Sequence, residues 1–320
     1  LTARSPARDR SGTAASGAPA DNPSVKTRHF AQLVALSALW GASFLFLRIA
    51  SPVIGPLVLA GLRVALASIT LIIIMKALRQ PWPWQHWREL TLLGALSVAM
   101  PFLLYAWAAL QLPAGYSALL NTTAVLWGTL ASSWFKEDTL SARKLLGCVA
   151  GFVGVALIVQ LGPVKIDATT IVAVLACLAA SACYGCSTPL MKRATTRMQP
   201  LAIAAGIHLT SLVLVTPGAV WAWPDASFTP AALIAVFILG TVTSGLAYWM
   251  HLRIIRHVSP VAAISPAFMI PVFGVTWGHL FLGEELSSGI FVGGALVLLA
   301  TALVTGFNPL RRWMEPTPAP

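Results

Sequence analysis

Charge is scarce in this chain of 320 residues, where Asp, Glu, Lys and Arg together make up only 10%. Acid is scarcer still, at 10 Asp and Glu against 21 Lys and Arg. A soluble domain carries about a quarter of its residues as charged side chains, so this composition argues against most soluble enzymes and soluble nucleic-acid binders. Cysteine is rare as well, and Cys148, Cys177, Cys183 and Cys186 all fall within apolar runs. That placement argues against a secreted disulfide framework and reads as buried small side chains. Cys183 and Cys186 share a helix face, but no second Cys or His pair completes a metal site beside them. Zinc-protease, phosphate-loop, dinucleotide and catalytic-dyad patterns are missing too. The expectation is a non-enzyme with no cofactor and no metal.

What the chain has instead is apolar length. It is 57% hydrophobic, with a mean hydropathy of +0.79. A membrane helix needs about 20 mostly apolar residues, and the 278 residues from Phe30 to Phe307 hold about ten such spans with short connections. Apolar stretches bounded by charge, Pro or Gly predict helices near 31–49, 56–75, 90–110, 113–134, 143–161, 169–190, 200–221, 231–252, 260–282 and 288–307. Barrel strands are excluded, because these runs are too long and do not alternate in polarity.

Residues 1–29 are rich in Ala, Ser, Pro, Gly and Arg and read as a disordered cytosolic tail. An organellar transit peptide is the alternative, opposed by Asp9, Asp21, the helix breakers and the missing amphipathic pattern. A cleavable signal would want a short apolar segment ahead of the first span. Residues 308–320 read as a second cytosolic tail. With the tail inside, 18 of the 21 basic residues lie on the inner side, Arg48 and Lys165 lie outside, and Arg63 falls within a span. Basic residues concentrate on the cytoplasmic side of membrane proteins, so both termini are expected in the cytoplasm, with an even number of spans in the inner membrane. The net charge of +11 follows from topology and does not call for a nucleic-acid partner. Expected partners are a small-molecule substrate and membrane lipid; the oligomeric state does not follow.

The chain also repeats itself. At an offset of 144, Trp40-Gly41-Ala42-Ser43 aligns with Tyr184-Gly185-Cys186-Ser187, Arg48 with Lys192, and Pro56-Leu57 with Pro200-Leu201. Tyr105 aligns with Tyr248 at 143, and Pro113, Glu137 and Gly147 align with Pro260, Glu284 and Gly294 at 147. The halves are 30–161 and 168–307. Five spans in each half is an odd number, so the halves enter the membrane in opposite orientation. The fold class expected is an all-α membrane protein of ten transmembrane helices in two inverted five-helix repeats.

Leu39-Trp40-Gly41-Ala42-Ser43-Phe44, the Pro56, Arg63, Ala67 pattern, and the ends Phe135-Lys136-Glu137 and Leu282-Gly283-Glu284-Glu285 carry a resemblance. The chain resembles the EamA-type members of the drug/metabolite transporter superfamily over about residues 30 to 307. The resemblance implies a two-repeat secondary transporter, commonly an exporter of amino acids or related metabolites.

Polar groups inside apolar runs are costly and therefore functional candidates. No acid lies in the middle of a run, which disfavours a buried-carboxylate relay. Transport is then a uniport, or coupling uses His208 or the substrate's own ionisation. Arg63 is a counter-charge for a substrate carboxylate or a structural cation. His208 is a hydrogen-bonding cavity residue, a proton acceptor or a helix-packing group. Trp40, Tyr105, Tyr184 and Tyr248 lie in the spans, and Trp40 and Tyr184 occupy equivalent places in the two halves. Aromatic faces there suit an ammonium or apolar group, with packing as the alternative. Gly41 permits close helix approach, and Ser43, Asn121, Ser187 and Ser265 offer hydrogen bonds to substrate or between helices. Pro189, Pro266 and Pro271 are candidate kinks. The functional expectation is export of small metabolites, amino acids or relatives, by alternating access. Carriage of nucleotide sugars or phosphorylated metabolites is the runner-up but would want more than one buried base, and a membrane-embedded enzyme is the alternative of another class.

Overall fold

The computed structural model describes residues 25–108, 111–112, 114–159, 167–283 and 289–307. Of the expected tails at 1–29 and 308–320, residues 1–24 and 308–320 lie outside the described residues, as do Lys165, Glu284 and Glu285, whereas Thr27, Arg28 and His29 are helical and open the first helix. All the regular secondary structure among the described residues is helical, as an apolar backbone in lipid must be to satisfy its own N–H and C=O groups. In order the helices are α1 (Thr27–Ile54), α2 (Pro56–Ala77), α3 (Trp87–Gly94), α4 (Met100–Ala108), α5 (Ala114–Trp134), α6 (Ala142–Val159) and α7 (Ala168–Arg197). Then follow α8 (Pro200–Trp221), α9 (Pro230–Ile238), α10 (Ala247–Ile255), α11 (Pro260–Ile264), α12 (Pro266–Leu282) and α13 (Gly289–Thr305). Among the described residues, 7 helical stretches are long and apolar enough to cross a membrane, namely those beginning at Thr27, Pro56, Trp84, Ala168, Pro200, Pro230 and Pro260.

Helix starts follow local chemistry. Proline occupies the first turn of α2, α8, α9, α11 and α12, where its missing N–H has no intrahelical partner to lose. Side chains of Asp167, Thr229 and Ser259 accept from the backbone N–H three residues on, capping α7, α9 and α11. The Asp167 carboxyl is held below the usual carboxylate range, chiefly by the backbone N–H of Thr170 and then by that residue's hydroxyl. Gly55 turns the chain between α1 and α2 at φ 82°, and Gly283 ends α12 at φ 68°.

Four elements differ from the sequence pattern. The stretches expected as uniform helices at 90–110 and 231–252 each contain π-helical turns, at Ala95–Ala99 and Leu239–Leu246. The stretch expected at 260–282 breaks at Ser265, between α11 and α12. Finally α7 runs on to Arg197 because its polar last turns find partners. The Lys192 ammonium donates to the carbonyls of Ile255, Arg256 and Val258 at 2.8, 2.9 and 2.9 Å, closing the C-terminal end of α10. Arg193 pairs with Glu137 and donates to the Phe135 carbonyl, and Arg197 pairs with Glu89.

The helices pack by exchange. α1 lies along α12 and against α9 and α10, whereas α7 lies along α5 and against α4. α2 packs on α8 and on the second π stretch, α8 packs on α3 and the first π stretch, and α6 pairs with α13. Glycine permits the closest approaches. A Cβ on Gly41 would sit 2.6 Å from Phe273 Cβ, and one on Gly185 would sit 2.5 Å from Trp127 Cβ. Both termini of the described bundle meet at one end, where the Phe30 ring stacks on Phe307 at 4.1 Å. The ion pairs of Arg193 and Arg197 lie at that end as well.

Candidate substrate site

Polar and aromatic side chains inside the bundle gather in two groups. In the first, the Tyr105 hydroxyl on α4 donates to Asn121 Oδ1 on α5 at 3.0 Å and meets the Ser181 hydroxyl on α7 at 2.8 Å. Tyr184, one helical turn beyond Ser181, stacks over Tyr105 with ring centroids 6.3 Å apart. A buried phenol needs such a partner, and one hydroxyl and one amide supply it here.

The second group is built on α1, α2, α8 and α10. The Trp40 indole N–H donates to the Thr243 carbonyl at 3.0 Å. That carbonyl lies in the second π stretch, where the widened turn changes the intrahelical hydrogen-bond pattern. Arg63 Nε donates to Ser244 Oγ at 2.6 Å, and its guanidinium carbon lies 4.4 Å from the Phe102 ring centre. No carboxylate pairs with Arg63 among the described residues, whose acids Glu89, Glu137, Asp138, Asp167 and Asp225 all sit at helix ends or between helices. His208 on α8 is fully buried, and its Nδ1 donates to the Ala204 carbonyl at 2.9 Å. Its ring meets Tyr248 edge-on at 4.9 Å. Tyr248 gives its hydroxyl to Met191 Sδ at 3.6 Å and lies 6.0 Å from the His251 ring, which in turn meets Trp40 at 5.1 Å.

Of the residues singled out from sequence, Tyr105, Asn121 and Tyr184 thus form one group, and Trp40, Arg63, His208 and Tyr248 the other. The remaining four stand differently. Gly41 lies at the α1–α12 contact, and Ser43 is buried with no partner for its hydroxyl. Ser187 and Ser265 donate to carbonyls in their own turn, of Tyr184 at 2.9 Å and Ala262 at 2.8 Å. Sequence reasoning missed Ser181, Phe102, Thr243, Ser244 and His251. Two of these carried a signal: Ser181 repeats Ser37 at the same offset of 144, and His251 lies one helical turn from Tyr248. A cavity of about 430 Å³ opens elsewhere, at the end bearing Arg197, and is lined by residues including Trp82, Trp84, His86, Arg197 and Gln199.

A family model described as the EamA-like transporter family matches residues 30–160 and 171–306. Similar proteins include the "Uncharacterized transporter YvbV" of Bacillus subtilis, 24% identical over 295 residues that cover 87% of this chain and 92% of the relative. The "Uncharacterized inner membrane transporter YedA" of Escherichia coli K12 is 27% identical over 286 residues, 86% of this chain and 90% of the relative. A "Probable terminal-alkyne amino-acid exporter" of Streptantibioticus cattleyicolor is 24% identical over 289 residues, 89% of this chain and 96% of the relative. A solved crystal structure superposes with a TM-score of 0.75 at 17% identity, covering 88% of this chain and 99% of that one, a likeness of fold alone. These names describe transporters and not enzymes.

Proposed function

The chain belongs to the EamA-like transporter family, and from that premise we propose that it exports small metabolites, amino acids or related compounds, across the cytoplasmic membrane. The mechanism proposed is alternating access of two inverted five-helix repeats, 30–161 and 168–307. The observation that carries the substrate reading is Arg63, a cation in a membrane-spanning helix with no carboxylate partner among the described residues and a hydrogen bond from α2 to Ser244. A charge at such depth costs several kcal/mol unless it is paired, and a substrate carboxylate is the partner whose geometry suits a guanidinium. The name of the Streptantibioticus cattleyicolor relative, "Probable terminal-alkyne amino-acid exporter", points the same way. A phosphorylated substrate would want a second base, and the interior presents Arg63 alone among the described Lys and Arg side chains of the two groups.

Three features support the mechanism. Equivalent helices of the two halves exchange partners, α1 with α12 and α7 with α5. The π stretches begin at Ala95 and Leu239, separated by the repeat offset of 144. The end where Phe30 meets Phe307 also carries Arg193, Arg197, Arg256 and Lys192, which supports both termini in the cytoplasm. Counterflow in proteoliposomes tests the reading. Vesicles preloaded with unlabelled amino acid should accumulate the labelled one transiently, with and without a pH gradient. Failure of every proteinogenic amino acid to exchange would sink the substrate class, and turnover of a compound by purified protein in detergent would replace transport by catalysis.

A further inference from the structure

Two ring nitrogens in the second group lack hydrogen-bond partners. His208 is wholly buried and donates from Nδ1 to Ala204, so Nε2 is left as a lone pair, buried and without a donor. His251 is almost as buried, and its Nδ1 also lies in the interior with no partner. The two imidazoles stand around one ring, Tyr248, at 4.9 and 6.0 Å, and Trp40 closes on His251 at 5.1 Å. The Tyr248 hydroxyl meets Met191 and is hydrogen-bonded to neither nitrogen. His251 Nδ1 is an acceptor in the tautomer that carries its proton on Nε2, native interiors seldom leave such buried ring nitrogens unsatisfied, and nothing else in the group bonds to them.

The missing complement is therefore a donor. Two imidazoles beside a guanidinium make a poor divalent-cation site, since a stable one wants three or more ligands and no neighbouring positive charge. An ammonium fits better: it brings three N–H donors, it is attracted to the Trp40 and Tyr248 faces, and it finds no competing carboxylate among the described residues. Arg63 is anchored to Ser244, four residues before Tyr248 on the same helical stretch. We propose that His208 and His251 form the ammonium subsite of a zwitterion site whose carboxylate subsite is Arg63, so that the protein selects α-amino acids over amines and over carboxylic acids. This inference rests on the amino-acid reading above and adds the residues that discriminate.

The test begins with the amino acid that exchanges fastest in wild-type counterflow and its desamino analogue, the same carbon skeleton without nitrogen. Losing hydrogen bonds to a charged group weakens binding by roughly ten- to a hundred-fold, so the analogue should compete that much less well on wild type. In His251→Phe and His208→Phe the parent amino acid should fall toward the analogue, while the analogue itself is unchanged. His251→Gln, which restores an acceptor, should recover part of the loss. A merely structural histidine would weaken parent and analogue alike, and that result, or no change in either, overturns the subsite. Should the Phe variants not fold, nitrogen-15 spectra of labelled histidine in the wild-type protein decide. Two unprotonated ring nitrogens should shift on adding the amino acid and stay still on adding the analogue; shifts with both, or with neither, overturn it. If no amino acid exchanges on wild type at all, the parent reading falls, and the histidine variants have no part in that failure.

Discussion

A guanidinium carries five N–H donors and keeps its charge at every accessible pH, so an Arg in a membrane-spanning helix must be supplied with acceptors. Ser244 takes one donor and Phe102 offers a face. Arg63→Gln is expected to weaken amino-acid competition in counterflow by about ten- to a hundred-fold, as loss of a charged hydrogen-bonded pair does. Ser244→Ala, which removes the anchor but keeps the charge, should lose only about three- to ten-fold; equal affinity in all three proteins would reduce Arg63 to a structural cation. A different residue matters for stability. Lys144 and Asp138 form a pair whose side chains are 3% and 1% exposed, with a second bond from Lys144 to the Thr139 carbonyl at 2.7 Å. Lys144→Met leaves that carboxylate buried without its cation and should destabilise by about 3–5 kcal/mol, measured as a lower melting temperature in detergent. The Arg193 and Arg197 pairs are largely exposed, and removing either should change stability by less than about 1 kcal/mol. Arg63 and His208 were legible in the sequence because a polar group stands out in an apolar run. His251 was not, because it lies beside Arg253 near the apparent end of a span and reads as an interfacial residue.

Helices were legible wherever proline or glycine punctuates them. Pro56, Pro200, Pro230 and Pro260 each open a helix as the sequence suggested. The π stretches were not legible, since a helical hydrophobic pattern does not distinguish a wide turn from an α turn in a helix apolar on all sides. Nor was the length of α7, because its polar last turns owe their order to Glu137, Glu89 and the end of α10, which are distant in sequence. Close helix contacts give a paired prediction. Gly185→Ala drives a methyl against Trp127 and the Gly128 backbone, whereas a Cβ on Gly294 meets nothing within 4 Å. The first substitution should destabilise by about 1–3 kcal/mol, and the second should be neutral or slightly stabilising through helix propensity. Similar melting temperatures for the two variants would contradict the packing of α7 on α5. The Asp167 cap carries a pH dependence. Its carboxyl is held low in the folded protein, so its contribution is present above the ordinary carboxylate range and fades as pH falls through the lowered folded value. Asp167→Ala should therefore melt below wild type at pH 7, with the gap closing under strong acid.

Taken whole, the molecule sets α1 of one half on α12 of the other and α7 on α5, with α6 and α13 joined. Neither polar group is confined to one half: Arg63 reaches Ser244, and Tyr105, itself bonded to Asn121, meets Ser181. Motion of one half against the other would therefore open and close both groups together. The repeat itself was legible from a few co-spaced landmarks, Trp40 with Tyr184 and Pro56 with Pro200. The pairing of helices across the halves was not, because no residue pattern states which apolar face meets which. Ser43 and Ser187 occupy equivalent places on α1 and α7, and both are buried. Single cysteines at these positions, in a protein whose native cysteines are replaced, can be challenged with membrane-impermeant thiol reagents in right-side-out and inside-out vesicles. Alternating access predicts labelling from one side at a time, with the accessible side shifting when saturating amino acid is added. Simultaneous labelling of the same position from both sides would contradict it and make the protein a channel.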